Sequence, residues 1–375
     1  MAIIKADAYG HGLLPVAQAA LGAGADWLGV AQLAEAFELR EGLDSAGIAR
    51  DRAPILAWIS TSGSDFESAI RADIDLSVSW TWVLDEVCAA ARRCGRPARI
   101  HVKIDTGMSR AGSTLADLPE LAQAVRVAEN TGLVQLVGAW SHLSRADDPS
   151  VAGEESTRRH RQIFEEGLHI LAEAGLRPQI RHLAATSGIL WHPDTHYDMV
   201  RAGIGMYGLS PDPSVASAQE LGLTPVMTLS APLTSVKVIE EGTPASYGGT
   251  WQAPSRRWVG LVPLGYGDGI LRAASNGAPV AVETDSGLVK AQIVGRICMD
   301  QFIIDLGPAE GQKGTATQNS GSAPAKVGDR AILFGDPAKG YPIADEWAAH
   351  AGTINYEVIT RLGERIPRQY VNEEE

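Results

Sequence analysis

Several side chains that can do chemistry stand alone within apolar runs of the sequence or at their ends. They are Lys5, Lys103, His142 and Arg201. A lysine recessed among apolar residues is harder to protonate, so its amine can act as a nucleophile. The direct use of such an amine is a Schiff base with a carbonyl compound. Each residue alone also has an ordinary structural explanation, such as a solvated strand end or a buried ion pair.

Alternating strand-like and helix-like segments must position these side chains. The strand-like runs are Ala2–Lys5, Trp27–Ala31, Pro54–Ile59, Ile74–Trp80, Ala98–Asp105, Gln135–His142, Ile180–Ala184 and Met199–Gly208. Between them lie amphipathic stretches such as residues 13–25, 31–42, 81–95 and 154–175. Strand–helix alternation at this pitch predicts parallel strands joined by right-handed crossovers. Eight strands fit a closed, TIM-like (β/α)8 barrel better than an open sheet.

A barrel of this kind would bring the candidate residues together. The carboxyl ends of its strands share one rim, where catalytic groups concentrate. On that rim Ser187 and the backbone of Gly203 and Ile204 are suited to cradle a phosphate. An arginine such as Arg201 facing a pyridine nitrogen is one of the ways in which proteins tune pyridoxal phosphate. No glycine-rich nucleotide-binding motif competes with this interpretation.

The pattern changes after residue 223. Strand signals separated by glycine turns dominate residues 224–375, which predicts a second, mostly antiparallel β domain. Residues 1–223 form the barrel domain in this interpretation. Seven helices lie between the eight predicted strands, but a barrel needs eight. The eighth is missing after the last strand, because residues 210–225 form a Pro- and Ser-containing linker. Residues 307–329 read as a surface hairpin, and the acidic end of the chain reads as a frayed tail.

Composition excludes several classes of protein. The formal net charge of -13 argues against nucleic acid or an anionic membrane as the main partner. The three cysteines, Cys88, Cys94 and Cys298, form no CxxC motif, so neither a disulfide framework nor a metal site is expected. No signal peptide or transmembrane run is recognisable. We therefore expect a cytoplasmic protein.

Eight motifs follow one another in order across almost the whole chain. They are KADAYGHG, KIDTGMSRAG, WSHLSRADD, MVRAGIGMYG, ASYGGTW, GYGDG, GRICMDQF and GTINYE. Together they resemble alanine racemase, a family of pyridoxal 5'-phosphate enzymes of bacterial cell-wall synthesis. The resemblance implies the interconversion of L- and D-alanine, supplying D-alanine for peptidoglycan. It also implies a homodimer with shared active sites.

The resemblance assigns the two bases of a racemisation. Lys5 matches the lysine that binds the cofactor covalently. Tyr247 matches the second base, which the β domain supplies to the site of the partner subunit. A phenol is a poor base at neutral pH and therefore needs cationic neighbours. The pair of His142 and Arg201 suits that task, because it matches the histidine and arginine that link the tyrosine to the pyridine nitrogen.

The remaining matches surround these residues. Arg110 matches an arginine near the cofactor oxygen and the substrate carboxylate, and Lys103 matches an often carbamylated lysine that positions it. Met299 matches a substrate contact, and Asp300 follows it. The matches to the phosphate shell are Tyr9, Ser187, Gly203, Ile204 and Tyr356. The matches to the corridor leading to the site are Tyr266, Arg272, Arg296 and Asp147.

Three departures from the family pattern stand out. Ala202 occupies a position that commonly holds proline, and Thr186 one that commonly holds asparagine. The strand and helix that usually precede KADAYGHG, and would provide the eighth barrel helix, are absent from the sequence. We therefore expect the native chain to start upstream, with Met1 an internal residue of the first barrel strand.

Two alternatives remain open at the level of sequence. A racemase of another small amino acid, such as serine, would carry the same residues, and kinetics against a panel of amino acids distinguishes it. A non-catalytic pyridoxal-phosphate-binding barrel is the alternative from a different class. The whole β domain and Tyr247 argue against it.

Overall fold

The structure, a computed structural model, describes residues 1–309 and 323–371. These residues form two compact units. The first comprises residues 1–206 and 210–221, and the second comprises residues 207–209 and those from 222 onward. Most of the predicted surface hairpin and the end of the acidic tail lie outside the described residues. Among the described helices, none is both long and apolar enough to cross a membrane.

Seven parallel strands form the sheet of the first unit, and each pairs with the next in chain order. They are β1 (Ala2–Ile3), β2 (Leu28–Gln32), β3 (Ile55–Ile59), β4 (Ile74–Val78), β5 (Ala98–Lys103), β6 (Val134–Trp140) and β7 (Ile180–His182). All seven fall on predicted strand runs. The parallel α/β barrel predicted from the alternation of elements is therefore confirmed.

The eighth position of the barrel differs from the prediction. Residues 199–208 form no regular strand, and a parallel bridge between Ala2 and Ala202 closes the ring instead. The amide of Ile3 donates to the carbonyl of Ala202 over 2.8 Å, and the amide of Arg201 donates to that of Ala184 over 3.0 Å. The chain then turns into a short 3-10 helix at Ile204–Tyr207. A full strand at Met199–Gly208 was thus wrong, because two residues suffice to bond both neighbours before the chain leaves the ring.

Helices alternate with the strands of the first unit. They span Leu13–Gly22, Leu33–Ser45, Phe66–Arg71, Thr81–Cys94, Leu118–Asn130, Val151–Glu173 and Thr186–Trp191. The four amphipathic stretches named from the sequence are all helical. Gly95 ends one of them with a left-handed φ of 66°, which glycine adopts without steric cost. Residues 210–225 contain no helix, as their composition predicted.

The barrel strands are mostly apolar, but three of their polar side chains are completely buried. Ile74, Leu76 and their neighbours on the parallel strands are almost fully buried, as expected for strands covered on both faces. Asp75, His101 and His182 are also buried, each with 0% of its surface exposed. Buried polar groups are costly unless they are hydrogen-bonded, so these three must have partners.

The second unit contains a seven-stranded antiparallel sheet and a two-stranded hairpin, β10 (Pro244–Ala245) with β11 (Trp251–Gln252). The strands of the large sheet are β8 (Leu229–Pro232), β9 (Ser235–Ile239), β12 (Arg257–Val262), β13 (Pro279–Thr284), β14 (Gly287–Val294), β15 (Phe302–Pro308) and β16 (Arg330–Phe334). Their order across the sheet is β8-β16-β13-β14-β15-β12-β9. The predicted mostly antiparallel β domain is confirmed. Two short helices, Ala344–Ala351 and Asn355–Thr360, follow the last strand.

Candidate active site

Lys5 lies just beyond the carboxyl end of β1 and is partly buried. Its Nζ atom is 5.9 Å from the ring centre of Tyr9 and 5.9 Å from that of Trp58. Burial, together with the positive charge of Arg110, lowers the pKa of the Lys5 amine. An amine with a lowered pKa is more often neutral near pH 7 and is therefore a better nucleophile and base.

The backbone after Lys5 forms a left-handed helical turn. Residues 6–9 have φ values of 51–55° and ψ values of 38–56°. Such a conformation costs residues other than glycine about 1–2 kcal/mol each, so the surroundings must hold it. The amide of Ala6 donates to Oε1 of Glu35 over 2.5 Å, and Oδ1 of Asp7 accepts from the amide of Leu13 over 2.8 Å.

A compact group of residues faces the Tyr9 hydroxyl. A Cβ atom added to Gly203 would lie only 2.9 Å from this oxygen, so glycine leaves the space that the hydroxyl uses. Burial raises the pKa of Tyr9 to about 12, which keeps the phenol protonated. The amides of Gly203 and Gly205 donate to Oγ1 of Thr186 over 3.1 and 3.4 Å. Threonine therefore supplies a polar contact at the position where the family pattern has asparagine.

Arg201 follows β7 in the chain and has only 4% of its surface exposed. Its guanidinium donates to the carbonyl oxygens of Ser141, His182 and Leu183 over 2.7–2.9 Å. It also contacts Nδ1 of His182 at 3.1 Å and Nδ1 of His142 at 3.2 Å. Burial lowers the pKa of Arg201 to about 9. Because these bonds use only the two terminal nitrogens, Nε–H makes no hydrogen bond within the described part of the chain.

His142 is held in one tautomer by its neighbour. A guanidinium only donates hydrogen bonds, so Nδ1 of His142 must accept the bond from Arg201. In the neutral ring the proton then sits on Nε2. Burial, followed by the charges of Arg201, Arg110, Lys103 and Lys5, holds the pKa of His142 well below its usual range. The ring therefore remains neutral and presents one N–H donor.

Lys103 and Arg110 lie on β5 and the loop after it. Lys103 is buried, and its Nζ atom lies 4.3 Å from the ring centre of Trp140. Burial, together with the charges of Arg110 and Arg201, lowers the pKa of Lys103 to about 8. Oδ1 of Asp105 accepts from the amides of Gly107 and Ser109, which shapes the loop that carries the exposed Arg110.

Three residues of the first unit were missed by reasoning from sequence. Asp75, His101 and His182 form a buried hydrogen-bonded chain that ends at Arg201. A signal was present, because Asp75 and His101 interrupt the apolar strand segments IDLSV and ARIHVK. Among the remaining predicted site residues of this unit, Ser187 is the second residue of the Thr186–Trp191 helix. Ile204 is buried, and Asp147 is partly exposed in the loop after β6.

A cavity of about 480 Å³ in the second unit is lined by Tyr247, Met299 and Asp300. Tyr247 is 73% exposed. The preceding Ser246 has a left-handed φ of 60°, and its hydroxyl donates to the carbonyl of Arg296 over 2.5 Å. Asp300 accepts from Arg365 over 2.7 Å. Two residues predicted from different motifs, Tyr247 and Met299, thus line one cavity.

Three other predicted residues of the second unit lie on short helices, and Arg296 lies in the loop after β14. Tyr266 begins a 3-10 helix, and its amide donates to the carbonyl of Cys298 over 3.0 Å. Arg272 begins another 3-10 helix, and Tyr356 lies in the helix Asn355–Thr360. A Cβ atom at Gly248 would lie 3.1 Å from the guanidinium of Arg296. Tyr266 and Arg296 therefore lie beside the segments that carry Met299 and Tyr247.

Comparison with known proteins places both units in one family. The profile "Alanine racemase, N-terminal domain" matches residues 1–211, and "Alanine racemase, C-terminal domain" matches residues 226–370. The alanine racemase of Beutenbergia cavernae is 46% identical over 371 residues, covering 99% of this chain and 91% of its own. That of Frankia casuarinae is 43% identical, covering 99% and 89%.

Solved structures of alanine racemases match this chain as well. The alanine racemase from Streptomyces coelicolor A3(2) superposes with a TM-score of 0.90 at 43% identity, covering 100% of this chain and 91% of its own. That from a D-cycloserine-producing Streptomyces lavendulae superposes with a TM-score of 0.89 at 43% identity, covering 99% and 90%. The barrel, the β unit and these matches define an amino-acid isomerase. The chain belongs to the alanine racemase family, and its activity is the interconversion of L- and D-alanine.

Proposed function

We propose that the protein racemises alanine with pyridoxal 5'-phosphate, using Lys5 and Tyr247 as two bases on opposite faces of the substrate. The observation that carries this proposal is the partly buried amine of Lys5, whose pKa is lowered at the rim of the barrel. Such an amine suits both a covalent link to an aldehyde and proton transfer.

The residues around Lys5 fit this cofactor. Because Gly203 has no Cβ atom, the Tyr9 hydroxyl lies close to the backbone there, and a hydroxyl beside backbone amides suits a phosphate. In this proposal Tyr9, Ser187, Gly203, Ile204 and Tyr356 hold the phosphate. The Nε–H of Arg201 is left without a partner by the described residues and can donate to a pyridine nitrogen. A ring nitrogen that accepts from arginine stays unprotonated.

The chain's own groups then perform the proton transfers. When bound, pyridoxal phosphate acidifies the Cα–H of an attached amino acid by delocalising negative charge. Lys5 takes or returns the proton on one face, and the Tyr247 hydroxyl does so on the other. Neutral His142 donates from Nε2 to the phenolic oxygen, which favours its charged form.

Other residues bind and orient the substrate. Arg110 pairs with the substrate carboxylate, since a guanidinium matches a carboxylate in geometry and charge. Lys103 positions Arg110, and Met299 limits the space for the side chain. The corridor consists of Tyr266, Arg272, Arg296 and Asp147, and Asp300 supports the site next to Met299. We propose that this site acts in the cytoplasm and supplies D-alanine for peptidoglycan, without a nucleic-acid or membrane partner.

The proposed assembly is a homodimer with shared sites. Residues 1–223 form the cofactor-binding domain, and residues 224–375 complete the active site of the partner subunit. The exposure of Tyr247 supports this arrangement, because a catalytic phenol must be removed from bulk water before it can act selectively.

The change Tyr247→Phe tests the two-base assignment. We expect retained absorption and borohydride trapping of the bound cofactor, and racemisation lowered by at least about 10²-fold. In D2O, Cα–H exchange should persist for one enantiomer and disappear for the other. The matched control is Tyr341→Phe, which lies outside the cavity. Unchanged racemisation in Tyr247→Phe would contradict the assignment of Tyr247 as the second base.

Complementation tests the shared site. Lys5→Ala and Tyr247→Phe should each be nearly inactive alone, but in a mixed dimer one site receives native Lys5 and native Tyr247. Random mixing during co-expression should restore about a quarter of the native activity, because half the dimers are mixed and each has one intact site. If both bases came from one chain, mixing would restore none.

A further inference from the structure

A line of buried polar side chains crosses the barrel from β4 to Arg201. Nε2 of His101 lies 3.3 Å from Oδ2 of Asp75, and Nδ1 of His101 lies 3.0 Å from Nε2 of His182. Nδ1 of His182 lies 3.1 Å from Nη1 of Arg201. The line therefore joins the interior of the barrel to the guanidinium at the site.

Both ends of this line have a fixed polarity. Arg201 only donates hydrogen bonds, and an ionised Asp75 only accepts them. His182 must then accept at Nδ1 and donate at Nε2, and His101 must do the same. Only one arrangement of protons satisfies all three bonds, with every N–H directed away from Arg201 toward Asp75.

We propose that Asp75, His101 and His182 are positioning residues that fix the guanidinium of Arg201 through this one-way relay. The proposal rests on the proposed function, in which Nε–H of Arg201 meets the pyridine nitrogen. Within residues 1–309 and 323–371, Arg201 forms no ion pair, so Asp75 is the carboxylate connected to it through hydrogen bonds. The relay links a buried cation to a buried anion through two neutral rings.

The barrel makes room for the relay. A Cβ atom on Gly138 would lie 2.2 Å from Nδ1 of His101, so only glycine at this position of β6 leaves the ring in place. His182 is stacked on Trp140, with parallel rings 5.7 Å apart. At the far end, Nε of Arg99 donates to Oδ1 of Asp75 over 2.5 Å, and Trp27 donates to Oδ2 over 3.1 Å. Each member is held on more than one side.

Burial and the charge of Arg201 hold the pKa of His182 well below its usual range. The ring therefore stays neutral, as the relay requires. Its role is to hold the Arg201 guanidinium in place and not to carry a charge. Losing His101 would leave Nε2–H of His182 without an acceptor and free the ring to turn away from Arg201.

Substitutions at His101 separate positioning from space filling. A glutamine amide can accept from His182 and donate to Asp75, so His101→Gln keeps the polarity of the relay. His101→Leu fills space but removes both bonds. We expect His101→Leu to lower kcat about 10-fold or more with little change in KM, and His101→Gln to retain most of kcat. Equal activities for the two variants would overturn the proposal.

A measurement on the native protein does not depend on the folding of variants. In native protein labelled with ¹⁵N at histidine, both His101 and His182 should show the Nε2–H tautomer with and without pyridoxal phosphate. Two variants extend this measurement. Gly138→Ala should shift both signals. Trp27→Phe removes a donor to Asp75 outside the relay and should preserve both tautomers. A charged ring or an Nδ1–H tautomer at His182 would refute the relay. Failure to bind pyridoxal phosphate, with the tautomers intact, would refute only the proposed function.

Discussion

Arg201 donates from Nη2 to Nδ1 of His142 over 3.2 Å, which leaves the proton of the neutral imidazole on Nε2. In the proposed mechanism this proton stabilises the phenolate of the partner subunit's Tyr247. His142→Phe removes the donor and should lower kcat about 10–100-fold, the range for a hydrogen bond to a charged group.

The same variant makes a more specific prediction about exchange. In D2O, His142→Phe should slow Cα–H exchange for the enantiomer that Tyr247→Phe also affects, and leave the other within about twofold. The matched control is His169→Gln on an exposed helix surface. Equal slowing of both enantiomers would contradict a role through the tyrosine.

Arg110 should set the pH at which Lys5 becomes reactive. Its positive charge, after burial, is the second cause that lowers the pKa of the Lys5 amine. In Arg110→Met the ammonium is less disfavoured, so the pKa of Lys5 rises and the neutral fraction at a given pH falls. The rate at which the apoprotein captures pyridoxal phosphate should therefore reach its plateau at a higher pH.

Stopped-flow absorbance measures that plateau. The matched control is Arg126→Met, whose side chain pairs with Glu129 on a helix. An unchanged pH profile in Arg110→Met would show that Arg110 does not act on Lys5.

Local sequence features revealed Lys5, Lys103, His142 and Arg201, because a lone polar residue at the end of an apolar strand falls on the rim of the barrel. Asp75, His101 and His182 were visible as interruptions of apolar strands, but not as one network. Their hydrogen bonds join residues 26 and 81 positions apart, and only the closed ring brings them together. The predicted eighth strand failed for a related reason, since ring closure needs only a short bridge.

Lys103 should make stability depend on pH. Its pKa falls from 10.5 to about 8, so between these values the unfolded chain binds more protons than the folded one. Stability therefore rises with pH across this window, and the cost of burying the ammonium, about 3 kcal/mol, is fully present below pH 8. In CO2-free buffer, Lys103→Met should be more stable than the native protein at pH 7.5, and the gap should shrink by pH 10.

Urea unfolding at the two pH values measures the gap, with Lys290→Met on the exposed β14 as control. Bicarbonate should narrow the gap at pH 7.5, because a neutral amine forms a carbamate that neighbouring cations favour. A ¹³C carbamate signal that is present in the native protein and absent from Lys103→Met would identify the modification. A gap that does not change with pH would show that folding does not lower the pKa of Lys103.

Ala6 should tolerate glycine better than an ordinary helical alanine does. Its φ of 54° lies in the left-handed region, where an L side chain costs about 1 kcal/mol or more and glycine does not. This relief offsets the greater flexibility of glycine in the unfolded chain. Ala6→Gly should therefore leave the free energy of unfolding unchanged or raise it by up to about 1 kcal/mol.

Ala19 provides the matched comparison, since it is exposed in the regular helix Leu13–Gly22. There the same substitution should lower the free energy of unfolding by about 1 kcal/mol, because glycine disfavours a helix interior. Urea unfolding of both variants gives the difference directly. If Ala6→Gly destabilised the protein as much as Ala19→Gly, the turn after Lys5 would not be left-handed in solution. The amide of Ala6 still reaches Glu35 in the glycine variant, so the position of Lys5 should be preserved.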